Sequence, residues 1–317
     1  MYGATRMSRV AVLIPCYNEA IAIPVVVRDF AAALPGARIY VYDNNSSDGT
    51  IQAAAAAGAT VRRQDLQGKG HVVRRMFADV DADIYVLVDG DATYNAADAP
   101  AMVDRLLKEQ LDMVVGSRVS DEMEAYRRGH RFGNWLLTEL TGRIFGRTFS
   151  DMLSGYRVFS RRFVKSYPAH AAGFEVETEL TVHALEQHMP VAEHPTHYVA
   201  RMDGSVSKLS TWTDGWRILL TILKLTKNGR PLAFFSIGAI VSSILSLMLA
   251  IPLISTYAET GLVPRFPTAI LCAALMLLAA IFLVCGLILD TVTLGRREAK
   301  RLAYLACPLH QLKDADE

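Results

Sequence analysis

Two stretches toward the C-terminal end, Leu232–Ser255 and Phe266–Leu289, contain no charged residue. Each is about 24 residues long, and a helix needs about 20 to cross the hydrocarbon core of a bilayer. Both are apolar on every helical face, whereas a surface helix of a soluble domain keeps a polar face. They are read as two transmembrane helices, so the rest of the chain must fold as a domain tied to a membrane. Lys224, Lys227 and Arg230 precede the first run, and Arg296, Arg297, Lys300 and Arg301 follow the second. The loop Thr256–Arg265 between them carries one basic residue. The positive-inside rule then places both flanks in the cytoplasm and the loop outside. The expected location is the inner (plasma) membrane, multi-pass, with the globular domain cytoplasmic.

Around this hairpin the chain divides into a flexible N-terminus (1–7), a cytoplasmic domain (8–208), an amphipathic juxtamembrane segment (209–230), the two spans (231–291) and a cytoplasmic tail (292–317). The juxtamembrane assignment rests on Trp212, Trp216, Lys224 and Lys227 flanking an aliphatic run, because indoles and lysine stems belong at headgroup level. Gly238, Ser242 and Ser243 are small enough to let hairpins pack into a homo-oligomer. A formal net charge of +1 over 317 residues excludes the global basicity of a nucleic-acid binder. Cys16, Cys272, Cys285 and Cys307 form no CxxC pair, so neither a disulfide framework nor a zinc site is indicated.

The N-terminal part alternates two periodicities. Val10–Ile14, Arg38–Tyr42, Thr60–Arg63, Ile84–Val88 and Met113–Gly116 read as strands. Ala20–Leu34, Ile51–Ala57, a stretch from Gly70 to about Ala78 and Ala97–Glu109 read as the helices between them. Strands separated by helices imply an α/β fold with a mostly parallel sheet and right-handed crossovers. From Ser117 to about Lys208 the pattern is mixed and rich in arginine. Glu175–Gln187 reads as a helix with acids in its first turn, followed by short strands around Pro190–His194 and Thr196–Arg201.

In an open α/β sheet, ligands bind beyond the carboxyl ends of the strands. Polar residues gather at those ends here. Pro15-Cys16-Tyr17-Asn18-Glu19 follows the first strand, Asp43–Thr50 follows the second, Gly68-Lys69-Gly70 opens the third helix, and Asp89-Gly90-Asp91 closes the fourth strand. Two carboxylates one residue apart suit a hard divalent cation that completes its shell with water and phosphate, so a metal-bridged diphosphate is expected. Arginines nearby can bind phosphate bidentately.

Taken in order, these motifs resemble those of family 2 glycosyltransferases, and among them the dolichol-phosphate mannose synthase-like enzymes. Ile14–Glu19 is similar to the family's IPxYNE, Asp43–Thr50 to DDxSxDGT, Val115–Arg118 to GSR, Asp151–Arg157 to DxxSGFR, and Arg201–Leu209 to RxxGxSKL with a small insertion. The resemblance covers about residues 8–210. It implies the nucleotide-diphospho-sugar transferase (GT-A) fold and a nucleotide-sugar donor, UDP being preferred to GDP. It also implies Mg²⁺ or Mn²⁺ on Asp91 and Asp89, and inverting transfer to a polyprenyl phosphate lipid. It assigns Pro15, Tyr17, Glu19, Asp43, Lys69 and Asp89 to the nucleotide. Arg118, Arg128, Arg131, Arg201, Ser207 and Lys208 are assigned to the diphosphate or acceptor phosphate, and Arg118 and Arg131 join Asp89 and Asp91 as catalytic candidates.

Two positions depart from the pattern. Asn44 stands where the family has a second aspartate, and Ala92-Thr93-Tyr94 replaces a common Leu-Gln that can supply a metal ligand. Two rival readings are a polysaccharide synthase and a catalytically inactive membrane adaptor of the same fold. The first lacks its Gln-x-x-Arg-Trp motif here, since Trp216-Arg217 has the reverse order. The second has no use for both a metal site and phosphate ligands.

Overall fold

The computed structural model of the protein describes residues 9–119, 149–173, 175–199, 201, 224, 227 and 229–308. The chain forms a globular unit, Met1–Trp216 with Ala299–Glu317, and a helical unit, Arg217–Glu298.

The globular unit is built on seven strands: β1 (Val10–Cys16), β2 (Arg38–Asp43), β3 (Thr60–Arg63), β4 (Ile84–Leu87), β5 (Met113–Val119), β6 (Arg157–Ser160) and β7 (Val191–His197). Their order across the sheet is β3-β2-β1-β4-β6-β5-β7. Every pairing is parallel except the two made by β6, which runs antiparallel between β4 and β5. Alternate residues of β1 serve opposite faces, as the strand pleat requires. Ala11 and Leu13 join the cluster beneath α3 (Lys69–Asp79), α5 (Arg161–Ser166) and α6 (Val176–Glu186). Val12, Ile14 and Cys16 join the one beneath α1 (Ile23–Ala33), α2 (Thr50–Ala56) and α4 (Ala99–Lys108). With both faces covered, the central strands read as continuous apolar runs.

Two sequence expectations are corrected here. Strand β6 is absent from the periodicity reading because it is four residues long and opens with Arg157, which is fully buried. The two short strands expected around 190–201 are one strand, β7, in unbroken parallel register with β5 from Val191 to His197. Pro195 does not interrupt it, because β7 lies at the sheet margin, where a missing N–H can face outward.

The helical unit holds α7 (Pro231–Thr260) and most of α8 (Phe266–Leu305). Both are long and apolar enough to cross a membrane. Their outward side chains remain exposed, with Ile237 at 63%, Met248 at 65% and Leu277 at 64%, the opposite of a soluble core helix. The helices touch through small residues. A Cβ on Gly238 would lie 3.1 Å from the Phe282 ring, and one on Gly286 3.1 Å from Phe235 Cβ. Ser246 Oγ donates to the Cys272 carbonyl at 2.8 Å. Of the expected juxtamembrane segment, only Lys224, Lys227, Gly229 and Arg230 are among the described residues.

Candidate active site

The carboxyl ends of β1, β2 and β4 meet at one margin of the sheet. The end of β1 abuts the Asp89-Gly90-Asp91 turn so closely that a Cβ on Gly90 would fall 2.6 Å from Cys16 Sγ. Beyond β1 and β2 the two loops brace each other. Asn18 N–H donates to Ser46 Oγ at 2.8 Å, Ser47 N–H donates to Asn18 Oδ1 at 2.8 Å, and Glu19 N–H donates to Thr50 Oγ1 at 2.9 Å. Asp48 accepts from Thr50 N–H at 3.0 Å and Ala20 N–H at 3.2 Å. Burial alone would raise its pKa, but a hydrogen bond from the Thr50 hydroxyl, with those from the backbone N–H groups, outweighs burial and lowers it. Pro15, Tyr17, Glu19 and Asp43 thus sit on one rigid rim, with Tyr17 exposed and Glu19 and Asp43 buried.

Asp43 is at the end of β2 and fully buried. Its Oδ2 accepts from Ser46 N–H at 3.1 Å, while Oδ1 has no hydrogen-bond partner. A buried carboxylate oxygen without a donor is costly, so the position suits a ligand that brings one.

Asn44 has a purpose that a second aspartate could not serve. Its side-chain amide donates to the carbonyls of Gln64 (2.9 Å) and Leu66 (2.8 Å), and its Oδ1 accepts from Gly68 N–H at 2.7 Å. It therefore staples the loop that presents Lys69. Asn44→Asp replaces two donors with a charge facing two carbonyls, and is expected to cost about 2–3 kcal/mol of stability in denaturant unfolding. An unchanged midpoint would remove this role.

Lys69 opens α3. A Cβ on Gly68 or Gly70 would lie 2.2 Å from a carbonyl oxygen of Ala172 or Ala171, respectively, so only glycines permit this approach. The approach brings the start of α6 to Lys69, whose ammonium lies 2.5 Å from Asp89 Oδ1 and also pairs with Glu177 Oε1. Burial opposes the charge on Lys69, but the two carboxylates prevail and raise its pKa above the ordinary lysine value. Glu177 was not singled out from the sequence. The signal in the sequence was the pair of acids, Glu177 and Glu179, in the first turn of α6.

Asp91 is buried and fully engaged. Its Oδ1 accepts from Thr93 Oγ1 at 2.6 Å, and its Oδ2 lies 2.7 Å from the Arg201 guanidinium. Thr93 thus orients the aspartate. Arg201 reaches this point because the chain after β7 bridges to the turn after β4. Val199 N–H donates to the Thr93 carbonyl at 3.0 Å, and Tyr198 pairs with Tyr94. Asp89 is held from the other side, where Gly155 packs so tightly that a Cβ would lie 2.3 Å from Asp89 Oδ2.

Arg157 shapes that turn. Its buried guanidinium donates to the carbonyls of Ser154 (2.9 Å) and Met152 (2.5 Å) and to Thr181 Oγ1 (2.8 Å). Arg118, at the end of β5, makes a bidentate pair with Asp151 at 2.6 and 2.8 Å, and its guanidinium carbon lies 5.5 Å over the Tyr198 ring. Burial raises and Arg118 lowers the Asp151 pKa, with Arg118 prevailing. The structure thus pairs Lys69 with Asp89, Arg201 with Asp91, and Arg118 with Asp151. Arg128, Arg131, Ser207 and Lys208 lie outside the described residues.

Among the described residues no group of three His, Cys, Asp or Glu side chains is assembled for a metal. The donor set nevertheless fits one kind of ion. A magnesium-like cation needs only one or two carboxylates when phosphates and water fill the rest of its shell. Asp89 and Asp91 supply two, each now matched by a side-chain cation.

A sheet of this order with paired carboxylates at its strand ends is the frame of a GT-A sugar transferase. The model of the family described as glycosyl transferase family 2 matches residues 11–167. Glycosyltransferase AglJ of Haloferax volcanii is 33% identical over 299 residues, which cover 93% of this chain and 98% of that protein. The dolichyl-phosphate hexose transferase of the same organism is 28% identical over 220 residues, covering 69% of this chain and 95% of that one. Among solved structures, M. tuberculosis glucosyl-3-phosphoglycerate synthase with Mn²⁺, uridine diphosphate and glucosyl-3-phosphoglycerate has a TM-score of 0.57. It is 23% identical, with 69% of this chain and 79% of that chain covered, and it supports the fold. The chain belongs to glycosyltransferase family 2.

Proposed function

We propose that this glycosyltransferase moves a sugar from a nucleotide-sugar, a UDP-sugar in preference to GDP-mannose, to a polyprenyl phosphate at the cytoplasmic membrane face. The product would be a lipid-linked sugar donor for cell-envelope glycosylation. The observation that carries the reading is the pair Asp89 and Asp91 at the strand ends, each matched by a side-chain cation, Lys69 and Arg201 respectively. The relative that is a dolichyl-phosphate hexose transferase and the two exposed apolar helices support the lipid acceptor. The solved neighbour with uridine diphosphate and Mn²⁺ supports the donor and a Mg²⁺ or Mn²⁺ cofactor.

Asp43, whose buried Oδ1 has no hydrogen-bond partner, is assigned to the nucleobase, where that oxygen would accept the imide N–H of a pyrimidine. Pro15, Tyr17 and Glu19 line the same rim for base and ribose. Asp91, with Asp89, would hold the divalent ion, which supplies positive charge to the diphosphate as it departs. Lys69 and Arg201, released from the carboxylates, are then available to phosphate oxygens. Arg118, Arg128, Arg131, Ser207 and Lys208 are assigned to the acceptor phosphate and diphosphate.

A lipid phosphate is already anionic at neutral pH, so positioning and charge do what a general base does elsewhere. Its oxygen forms a bond to the anomeric carbon as the bond from that carbon to the nucleoside diphosphate breaks, with inversion. Purified protein with polyprenyl phosphate and a panel of labelled nucleotide-sugars is expected to give lipid-phase label from one donor, abolished by chelator. Intact nucleotide binding with no transfer from any donor would instead favour the adaptor.

A further inference from the structure

Helix α8 does not end with its apolar run. The charge-free stretch stops at Leu289, yet the helix continues to Leu305, adding about 24 Å at 1.5 Å per residue. The residues from Ala299 onward belong to the globular unit. Within that unit, Lys300 Nζ lies 2.9 Å from Glu186 Oε2, and both side chains are largely buried, at 23% and 9% exposure. One turn later, on the same helix face, Tyr304 Oη donates to Asp112 Oδ2 at 2.9 Å. The Arg162 guanidinium carbon sits 4.7 Å over the Tyr304 ring, and the ring packs against the core cluster beneath α3, α5 and α6.

Asp112 is fully buried at the entry to β5. It also accepts from Ser160 Oγ at 2.7 Å and pairs bidentately with Arg162. Ser160 is in register with Ile84, the first residue of β4, so this cluster lies at the opposite margin of the sheet from Asp89 and Asp91. It contributes nothing to the site chemistry. A merely trailing tail would stay in water and would not bring a tyrosine hydroxyl to a buried carboxylate.

We propose that the last two turns of α8 are a clasp in which Lys300 and Tyr304, as positioning residues, fasten the end of the second apolar helix to the transferase domain at Glu186, Asp112 and Arg162. The domain is then joined to the hairpin at both ends of the hairpin sequence, rather than through residues 209–230 alone. A second tether shortens the free chain between the domain and the bilayer. It raises the effective concentration of the site toward an acceptor confined to the bilayer. This consequence rests on the lipid acceptor proposed above; the clasp itself does not.

The test uses the full chain in lipid nanodiscs, native and Lys300→Ala/Tyr304→Phe. Asp112 keeps Ser160 and Arg162 in the variant, so the fold remains. The native amides of Ala299–Leu305 are expected to be protected from hydrogen exchange and to exchange at least about tenfold faster in the variant. The KM for bilayer-embedded polyprenyl phosphate is expected to rise about three- to tenfold. The kcat on a short, water-soluble isoprenyl phosphate should stay unchanged. Native amides exchanging as fast as a frayed helix end would overturn the clasp, and faster exchange with an unchanged KM would overturn its positioning role. Protected amides with no transfer to any acceptor would count against the lipid reading and leave the clasp standing.

Discussion

Asp91→Asn is expected to lower transfer by about 10²–10³-fold, the loss typical of removing one preorganised charge-stabilising group. The amide keeps the shape of the carboxylate, and its oxygen can still accept from Thr93 Oγ1, which lies 2.6 Å from Asp91 Oδ1. The charge that balances Arg201 is lost. The Arg201 side chain is 30% exposed and can return to water, but the buried amide nitrogen is left without a partner, so stability should fall by about 1–3 kcal/mol in thermal unfolding. Steady-state kinetics beside a melting curve separate the two effects. Retention of most activity would sink the metal assignment.

Gly155→Ala is the second large effect, and it acts without removing a functional group. The new methyl would fall 2.3 Å from Asp89 Oδ2, and no comparable contact with backbone forms. The side chain of Asp89, 29% exposed, is the part able to move. The fold is therefore expected to survive while the carboxylate turns away from its position beside Lys69. Mn²⁺ affinity in the presence of nucleotide should fall about 10–100-fold, as when the surroundings of a metal ligand are disturbed. Titration calorimetry reads this directly, and an unaltered affinity would refute the account.

The parts of this fold that could be read in the sequence are those where one rule governs. Ile84–Leu87 is apolar throughout because helices cover both faces of a parallel strand, and the acids that follow it stand where such sheets bind ligands. What escaped reading depends on partners far apart in the chain. Lys69 meets Glu177 across 108 residues, and Tyr304 meets Asp112 across 192. No periodicity carries such pairings. Arg157 shows a second reason. A guanidinium buried to hold backbone carbonyls looks like a surface residue in the sequence, and it hid β6 with it. Asn44 is the converse case, since a departure from the family pattern proves to be a loop fastening.

The margins of the sheet bear on how copies of this protein coexist. Among the described residues, β3 and β7 are its two outermost strands. A long, flat margin would be a template for edge-to-edge polymerisation, a hazard that grows when molecules are concentrated in two dimensions. Here β3 is four residues long and ends in Arg62 and Arg63, and β7 carries Pro195, which has no N–H to offer a neighbouring strand. Both margins are blunted, which disfavours edge-to-edge pairing between copies.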